Sequence, residues 1–339
     1  MIRKKGIVAA VLVLFASALV SAGGMAPGAA SGALEIGGYA DVLYTNYDEG
    51  ESTFALGHFC LDMAAELSDD VVVMAEVEWA RALPNVLSAA EVDAEIVAAC
   101  IDCKIVDPIT LRAGKFLVPF NVYNTTLAPA DVAKLATAPM MNQNVIPSKW
   151  AETGLQIYGA IDTGTEVGLD YAVYMVNGLD GTALDAIPAM KNNDVDVNDG
   201  DKAIGGRLGL TTPGGIVLGI SGYSGAYTAD GAQDITMLGL DVCYAYEAFQ
   251  LIAEYVDADQ DGGVVESTDG FYMQGAYKFL EDYEVVVRYE EVDLTGDSID
   301  KITIGGNYMI TDDLTFRVAY EWSDAYEGDG VVGQLAVRF

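Results

Sequence analysis

The sequence predicts an all-β fold, a transmembrane antiparallel up-and-down β-barrel of about 16 strands. Three observations predict it. Segments of roughly ten residues alternate apolar and polar side chains, the period of a strand with one apolar face. Tight turns (68–70, 106–108, 212–215, 246–248, 280–282, 311–313) alternate with longer polar loops (178–201, 225–232, 258–267, 324–330). That rhythm suits a barrel with one short-turned rim and one long-looped rim. Finally, the chain is both apolar and acidic: hydrophobic residues make up 52%, mean hydropathy is +0.26, and the formal charge is −34. Beyond the N-terminus no run reaches the ~18 apolar residues of a spanning helix, so strands closed into a ring are left to satisfy the backbone in lipid.

The N-terminus reads as a targeting segment. Arg3, Lys4 and Lys5 precede the apolar run 6–20, and Val20-Ser21-Ala22 places small residues at a cleavage site. This predicts a signal peptide over 1–22, rather than a membrane anchor. Cleavage after Ala26 or Ala30 is also compatible with the small residues of 23–32. A short linker, 23–33, then leads into one domain, 34–339.

Taken in order, the first strand, from Leu34 to Tyr44, puts Leu34, Ile36, Ala40 and Val42 on one face and Glu35, Tyr39 and Asp41 on the other. The second opposes Phe59, Leu61, Met63, Ala65 and Leu67 to His58, Cys60, Asp62 and Glu66. The third opposes Val71, Val73, Ala75, Val77 and Trp79 to Val72, Met74, Glu76 and Glu78. The fourth, 92–105, alternates poorly. The fifth runs from Ile109 to Leu117, and the sixth from Thr153 to Gly159. Ten further alternating segments follow, from Leu169 through the last strand, whose apolar face is Leu335, Val337 and Phe339. Aromatics at strand ends (Phe271, Tyr277, Phe279, Tyr283, Tyr289, Tyr320, Trp322) predict interfacial girdles.

The charge makes nucleic acid and anionic membrane surfaces poor partners. Acids gather in predicted loops, as in Asp194, Asp196, Asp199 and Asp201. The run Asp257-x-Asp259-x-Asp261-Gly262 imitates the start of a calcium loop, but Thr268 stands where the bidentate Glu belongs. These three acids are weak metal candidates, and the alternative is a solvated loop. Cys60, Cys100, Cys103 and Cys243 belong to a chain predicted to be exported, where disulfides are permitted. Cys100-x-x-Cys103 suggests redox or metal chemistry. On a strand, though, residues three apart face opposite ways, and the chain has one histidine, His58. Small apolar wall residues are the preferred reading, with the pairing left open. No cofactor is expected and no catalytic constellation stands out, His58 having no serine partner; an outer-membrane hydrolase using His58 is the weakest reading.

The central stretch, 111–154, is irregular over more than thirty residues. It holds Pro119, Pro129, Pro139 and Pro147 together with Phe120, Tyr123, Leu127, Leu135, Met140, Met141 and Val145. Loops of that length are usually functional or disordered, and this one is too apolar for a solvated tail. It is expected to fold inward into a cavity made by the strands.

Arg112, Gly114, Lys115, Phe116, Pro119, Phe120 and Tyr123, then Pro147, Trp150, Glu152, Gly154 and Gly159, resemble the porin family that includes the phosphate-selective porins O and P. The family pattern has a further glycine after the Pro-Phe pair, where this chain has Asn121. The resemblance implies a water-filled, trimeric barrel in a Gram-negative outer membrane, with the third long loop, 119–151, as a constriction. Terminal Phe339 resembles the closing aromatic of outer-membrane proteins, which implies recognition by the barrel-assembly machinery. Phosphate selectivity in that family goes with a lumenal ladder of Arg and Lys. Here the inward positions carry mostly acids: Glu35, Asp41, Asp62, Glu66, Glu76, Glu78, Asp170, Glu254, Glu284, Glu290 and Glu321, against Arg112, Arg207, Lys278, Arg288, Lys301, Arg317 and Arg338.

The expectation is therefore a passive diffusion channel for small hydrophilic solutes, biased to cations, set in outer-membrane lipid and lipopolysaccharide. Pore-lining candidates are Lys115, Asp131, Lys134 and Lys149 near the constriction, with Arg112, Glu76 and Glu78 on the wall. The alternative is a non-transport barrel: structural, adhesive, or a sheath around an exported electron carrier.

Overall fold

In the computed structural model sixteen strands hydrogen-bond in sequence order and close into an antiparallel ring. The structure describes residues 33–80, 93–127, 132–191, 200–294, 297–324 and 328–339. The expected signal peptide, almost all of the linker and the acids at 194–199 lie outside the described residues.

The strands are β1 Leu34–Tyr47, β2 Thr53–Ser68, β3 Val71–Ala80, β4 Asp93–Val106, β5 Ile109–Leu117, β6 Ala151–Asp162, β7 Gly168–Val176 and β8 Ala203–Thr211. They continue as β9 Ile216–Ala226, β10 Asp234–Tyr246, β11 Phe249–Gln260, β12 Ser267–Leu280, β13 Tyr283–Leu294, β14 Asp297–Met309, β15 Leu314–Ser323 and β16 Gly330–Arg338. A short helix, α1, spans Met141–Asn144. Among the described residues no helix is long and apolar enough to cross a membrane; the strands are the spanning elements.

Period 2 sorts the side chains. On β13, Val285 and Val287 face outward and are exposed, while Glu284, Arg288 and Glu290 face inward and are buried. The outer surface is thus apolar and the inner one polar, as lipid outside and a hydrated lumen require. Stacked or tilted aromatics band both ends of the wall. Phe279–Tyr283, Tyr283–Tyr308 and Phe59–Phe339 lie toward the short turns, and Tyr320–Trp322 and Tyr44–Phe54 toward the long loops.

The ring closes where β1 meets β16, in register from Tyr39↔Arg338 to Tyr47↔Gly330. Phe339 completes the seam: its N–H donates to Gly38 O and Gly38 N–H donates to Phe339 O, both at 3.0 Å. An unpaired backbone group in lipid costs several kcal/mol, so this seam is as necessary as any other ladder.

One expectation finds its cause and three features differ. The weak alternation of β4 comes from a β-bulge at Val97, which buries Val97 and Ala98 in succession. The short–long rhythm fails once, since only residues 295 and 296 separate β13 from β14. The run expected as an acidic loop at 258–267 narrows to residues 261–266, because Asp257 and Asp259 sit on β11, paired with Asp269 and Ser267. Extended backbone cannot wrap an ion as a calcium loop does, so Asp257, Asp259 and Asp261 form no such loop. Finally, Glu66, Lys278 and Arg338, expected to face inward, are exposed at the short-turn rim, the first two beside register shifts.

Two glycines of the central stretch are demanded by backbone approach. Gly114 on β5 has φ 126°, and a Cβ there would lie 2.2 Å from Ala99 O. It pairs with Gly154 on β6, where a Cβ would lie 2.1 Å from Met175 O. Gly114→Val is expected to destabilise the barrel by about 2 kcal/mol or more. The readout is the urea midpoint at which the folded, heat-modifiable band is lost on a gel; a midpoint equal to wild type contradicts the assignment.

Candidate functional site

Residues 118–150, between β5 and β6, build the site with the wall they face. The neck of this loop is tied shut. Val118 N–H donates to Trp150 O at 2.8 Å, and Asn124 Nδ2 donates to Val118 O and Trp150 O at 2.8 and 2.9 Å. Trp150 N–H donates back to Asn124 Oδ1 at 2.7 Å. Trp150 is fully buried against Phe120 and Tyr223, and its Nε1 donates to Glu152 Oε1 at 2.8 Å. The other oxygen of Glu152 accepts from Gly178 N–H at 2.6 Å, joining the neck to the β7–β8 connection. Asn121 has φ 53°, the left-handed region that glycine and, next to it, asparagine adopt most readily. The missing glycine of the resemblance is therefore replaced by a residue suited to the same turn.

From the neck the loop bonds to inward side chains all round the ring. Asn121 N–H donates to Ser221 Oγ on β9 at 3.0 Å, and Tyr123 N–H to Glu254 Oε1 on β11 at 2.6 Å. Lys134 meets Glu284 on β13 at 2.7 Å, and Asn307 on β14 donates to Lys134 O at 2.9 Å. Arg288 on β13 donates to Thr137 O at 2.9 Å, Thr137 donates to Glu321 on β15, and Met140 N–H donates to Glu290 on β13. Lys149 meets Glu78 on β3 at 2.6 Å and donates to the Tyr39 hydroxyl on β1. A segment bonded to walls on opposite sides of a ring runs across its interior. Glycines leave it room: a Cβ on Gly239 would strike Asn121 and Phe120, and one on Gly270 would crowd Met141 and Val145.

The packing is lopsided. Phe116, Phe120, Met141, Val145 and Trp150 join buried residues of β7 to β13 in one apolar cluster. On the opposite side, against β2 to β4, the loop leaves a cavity of about 190 Å³ lined by His58, Glu78, Glu95, Tyr123, Leu135, Lys149 and Lys191, among others. Its charges are matched in pairs: Lys149 with Glu78 at 2.6 Å, Lys191 with Glu95 at 2.7 Å, and His58 Nδ1 with Asp41 at 2.7 Å. Burial disfavours the Lys149 ammonium, but Glu78 and Glu76 outweigh it and hold its pKa above the ordinary lysine range.

Of the candidates, Glu78 and Lys149 line this cavity together, with Glu76 behind them on β3. Lys115 is buried on β5, its Nζ 4.0 Å from Glu95. Lys134 stands apart, on Glu284. Arg112 is not at the cavity: it pairs with Asp102 at 2.7 Å and lies over the Tyr158 ring at 5.0 Å, toward the short turns. Asp131 lies outside the described residues. The interior is also less one-sided than its acids suggested, because Arg207 binds Asp241 and Asp170 at 2.7 and 3.1 Å, and Arg288 binds Glu290 at 2.7 Å. Sequence reading missed Asp102 and Asp241, and it missed Asn124, Glu95 and Lys191. Asp241 alternates with the outward residues Leu240 and Val242, a signal that was there to be read. Asn124 carries no such signal. The four cysteines are free thiols.

Asn124→Ala removes three hydrogen bonds at the neck. It is expected to destabilise the loop's seating by about 1–3 kcal/mol while the ring stays folded. A spin label at Ser148 should gain mobility with the heat-modifiable band unchanged; an immobile label would show the neck is held by other contacts.

The family model described as phosphate-selective porin O and P matches residues 38–327. An uncharacterized protein of Aquifex aeolicus (strain VF5) is 22% identical over 282 residues, covering 74% of this chain and 63% of that protein, so the chain spans less than two thirds of this relative. The anion-selective porin from Comamonas acidovorans superposes with TM-score 0.62 at 15% identity, over 91% of this chain and 99% of that one. The trimer form of OmpT from Vibrio cholerae gives TM-score 0.60 at 12% identity, over 91% and 99%. At these identities the structural likeness is one of fold.

Proposed function

The chain belongs to the family of phosphate-selective porins O and P, barrels of the outer membrane, and from that premise we propose that it is a passive diffusion channel for small hydrophilic solutes with a preference for cations. The observation that carries the proposal is the cavity between the inward-folded loop and the β2–β4 wall. Solutes pass there, and residues 118–150 act as the constriction that sets the size limit. The channel is a sieve, not an enzyme, and His58 serves it as a wall group held by Asp41 and Glu78.

Selectivity follows from the balance of charge along the cavity wall. Four acids, Asp62, Glu76, Glu78 and Glu95, stand there against Lys149 and Lys191, which pair with Glu78 and Glu95. Carboxylates along a narrow path favour cations. The family's description names phosphate, and a Comamonas relative in fold is anion-selective, so ion preference is the decisive measurement. We carry over from the family resemblance a homotrimer in outer-membrane lipid and lipopolysaccharide. We also assign Phe339, at the closing seam, as the signal read by the assembly machinery.

The apolar cluster filling the β7–β13 side favours a second reading, a barrel closed to solutes that serves a structural role. Planar-bilayer recording separates the two. Discrete conductance steps are expected, with a reversal potential in a KCl gradient that favours K⁺. Lys149→Gln should raise the cation preference further by releasing Glu78. Silence in the bilayer supports the closed barrel, and a reversal potential favouring Cl⁻ overturns the cation claim.

A further inference from the structure

Beside Lys149 the β2–β3 wall carries a donor set that the channel reading does not use. Cys60 and Asp62 are two residues apart on β2, and their cross-strand partners on β3 are Glu78 and Glu76. All four side chains face inward and are buried. Cys60 Sγ lies 3.4 Å from Glu76 Oε1 and 3.5 Å from Asp62 Oδ1, and the three donor atoms lie within 4.8 Å of one another. With metal–sulfur and metal–oxygen bonds of about 2.3 and 2.1 Å, the sulfur–oxygen edge of a tetrahedral zinc site is about 3.6 Å. The two sulfur–oxygen distances match that edge.

The charge points the same way. Asp62, Glu76 and Glu78 bring three carboxylates into a buried patch where Lys149 supplies an ammonium, bonded to Glu78. The thiol between them is a weak hydrogen-bond donor, and like charges crowded in a buried patch repel one another. A divalent cation held by Cys60, Asp62 and Glu76 would offset that repulsion. The sulfur selects the ion class, because calcium and magnesium take all-oxygen shells while a thiolate favours zinc and its neighbours.

We propose that Cys60, Asp62 and Glu76 form a binding site for a zinc-class divalent ion in the barrel wall, reached from the cavity lined by Glu78 and His58. Binding exchanges the Cys60 thiol proton for the metal, and the proton leaves to solvent through that cavity. Three protein donors leave a coordination position open, so the site suits an ion that exchanges.

Cobalt(II) titration of the folded full-length barrel, in detergent with a non-thiol reductant, tests this. Wild type should develop a sulfur-to-cobalt charge-transfer band that zinc(II) abolishes. Cys60→Ser should lose the band, while Cys100→Ser and Cys243→Ser keep it. Glu76→Gln and Asp62→Asn should keep the thiolate but need at least about tenfold more cobalt. A wild type without the band, or a Cys60→Ser barrel that retains it, overturns the site. If Cys60→Ser gives no heat-modifiable folded band, the two carboxylate variants decide, and unchanged cobalt affinity in both overturns it. The readout involves no transport, so failure here and failure of the channel reading are distinguishable.

Discussion

Backbone hydrogen bonding in a medium without water is the constraint on which everything else in this molecule depends. Each N–H and C=O at membrane depth must find a partner within the chain, and a ring of strands finds them through the β1–β16 seam and its Phe339–Gly38 exchange. The ring then imposes period 2 on the side chains. One face must suit lipid, so the polar residues of a −34 chain that fall at membrane depth turn inward. There they meet one another at close range, and buried charges persist only in company. Arg207 with Asp241, Arg112 with Asp102 and Arg288 with Glu290 are the consequence.

The loop 118–150 solves the remaining problem, an interior wider than side chains alone fill. It seats its apolar half against β7–β13 and ties its polar atoms to acids on β11, β13 and β15. Asn124 and Trp150 fix where it leaves the wall, and Asn121 supplies the turn inward. Because the apolar cluster lies to one side, the space that remains lies to the other, under β2–β4. That same wall bears His58, Cys60, Asp62, Glu76 and Glu78, two of which, His58 and Glu78, line the cavity.

Much of this was legible. The bounds of β5 were readable from its alternation, and the closing role of Phe339 from its place on the last strand. The Gly114 and Gly154 positions carried a family signature whose cause, two backbones in contact, is plain once the strands are paired. Other features were hidden by departures from strict alternation. The Val97 bulge blurred β4 and concealed Asp102. Asp257 and Asp259 read as loop because aspartate is rare in strands, yet the ladder with β12 holds them extended.

Sequence alone determined the barrel, its strand count, its polar interior and the stretch that folds inward, because period 2, turn chemistry and apolar content are local properties. Tertiary structure decided which charges cancel. The weight of an inward acid in a lumenal field depends on the cations that reach it, and Lys149 reaches Glu78 from 71 positions away and Lys134 reaches Glu284 from 150. It also decided that Arg112 pairs with Asp102 away from the cavity while Lys149 lines it, and that Cys60, Asp62 and Glu76 converge. Distances across a ring depend on register and on the path of one long loop, and neither is written in the spacing of residues along the chain.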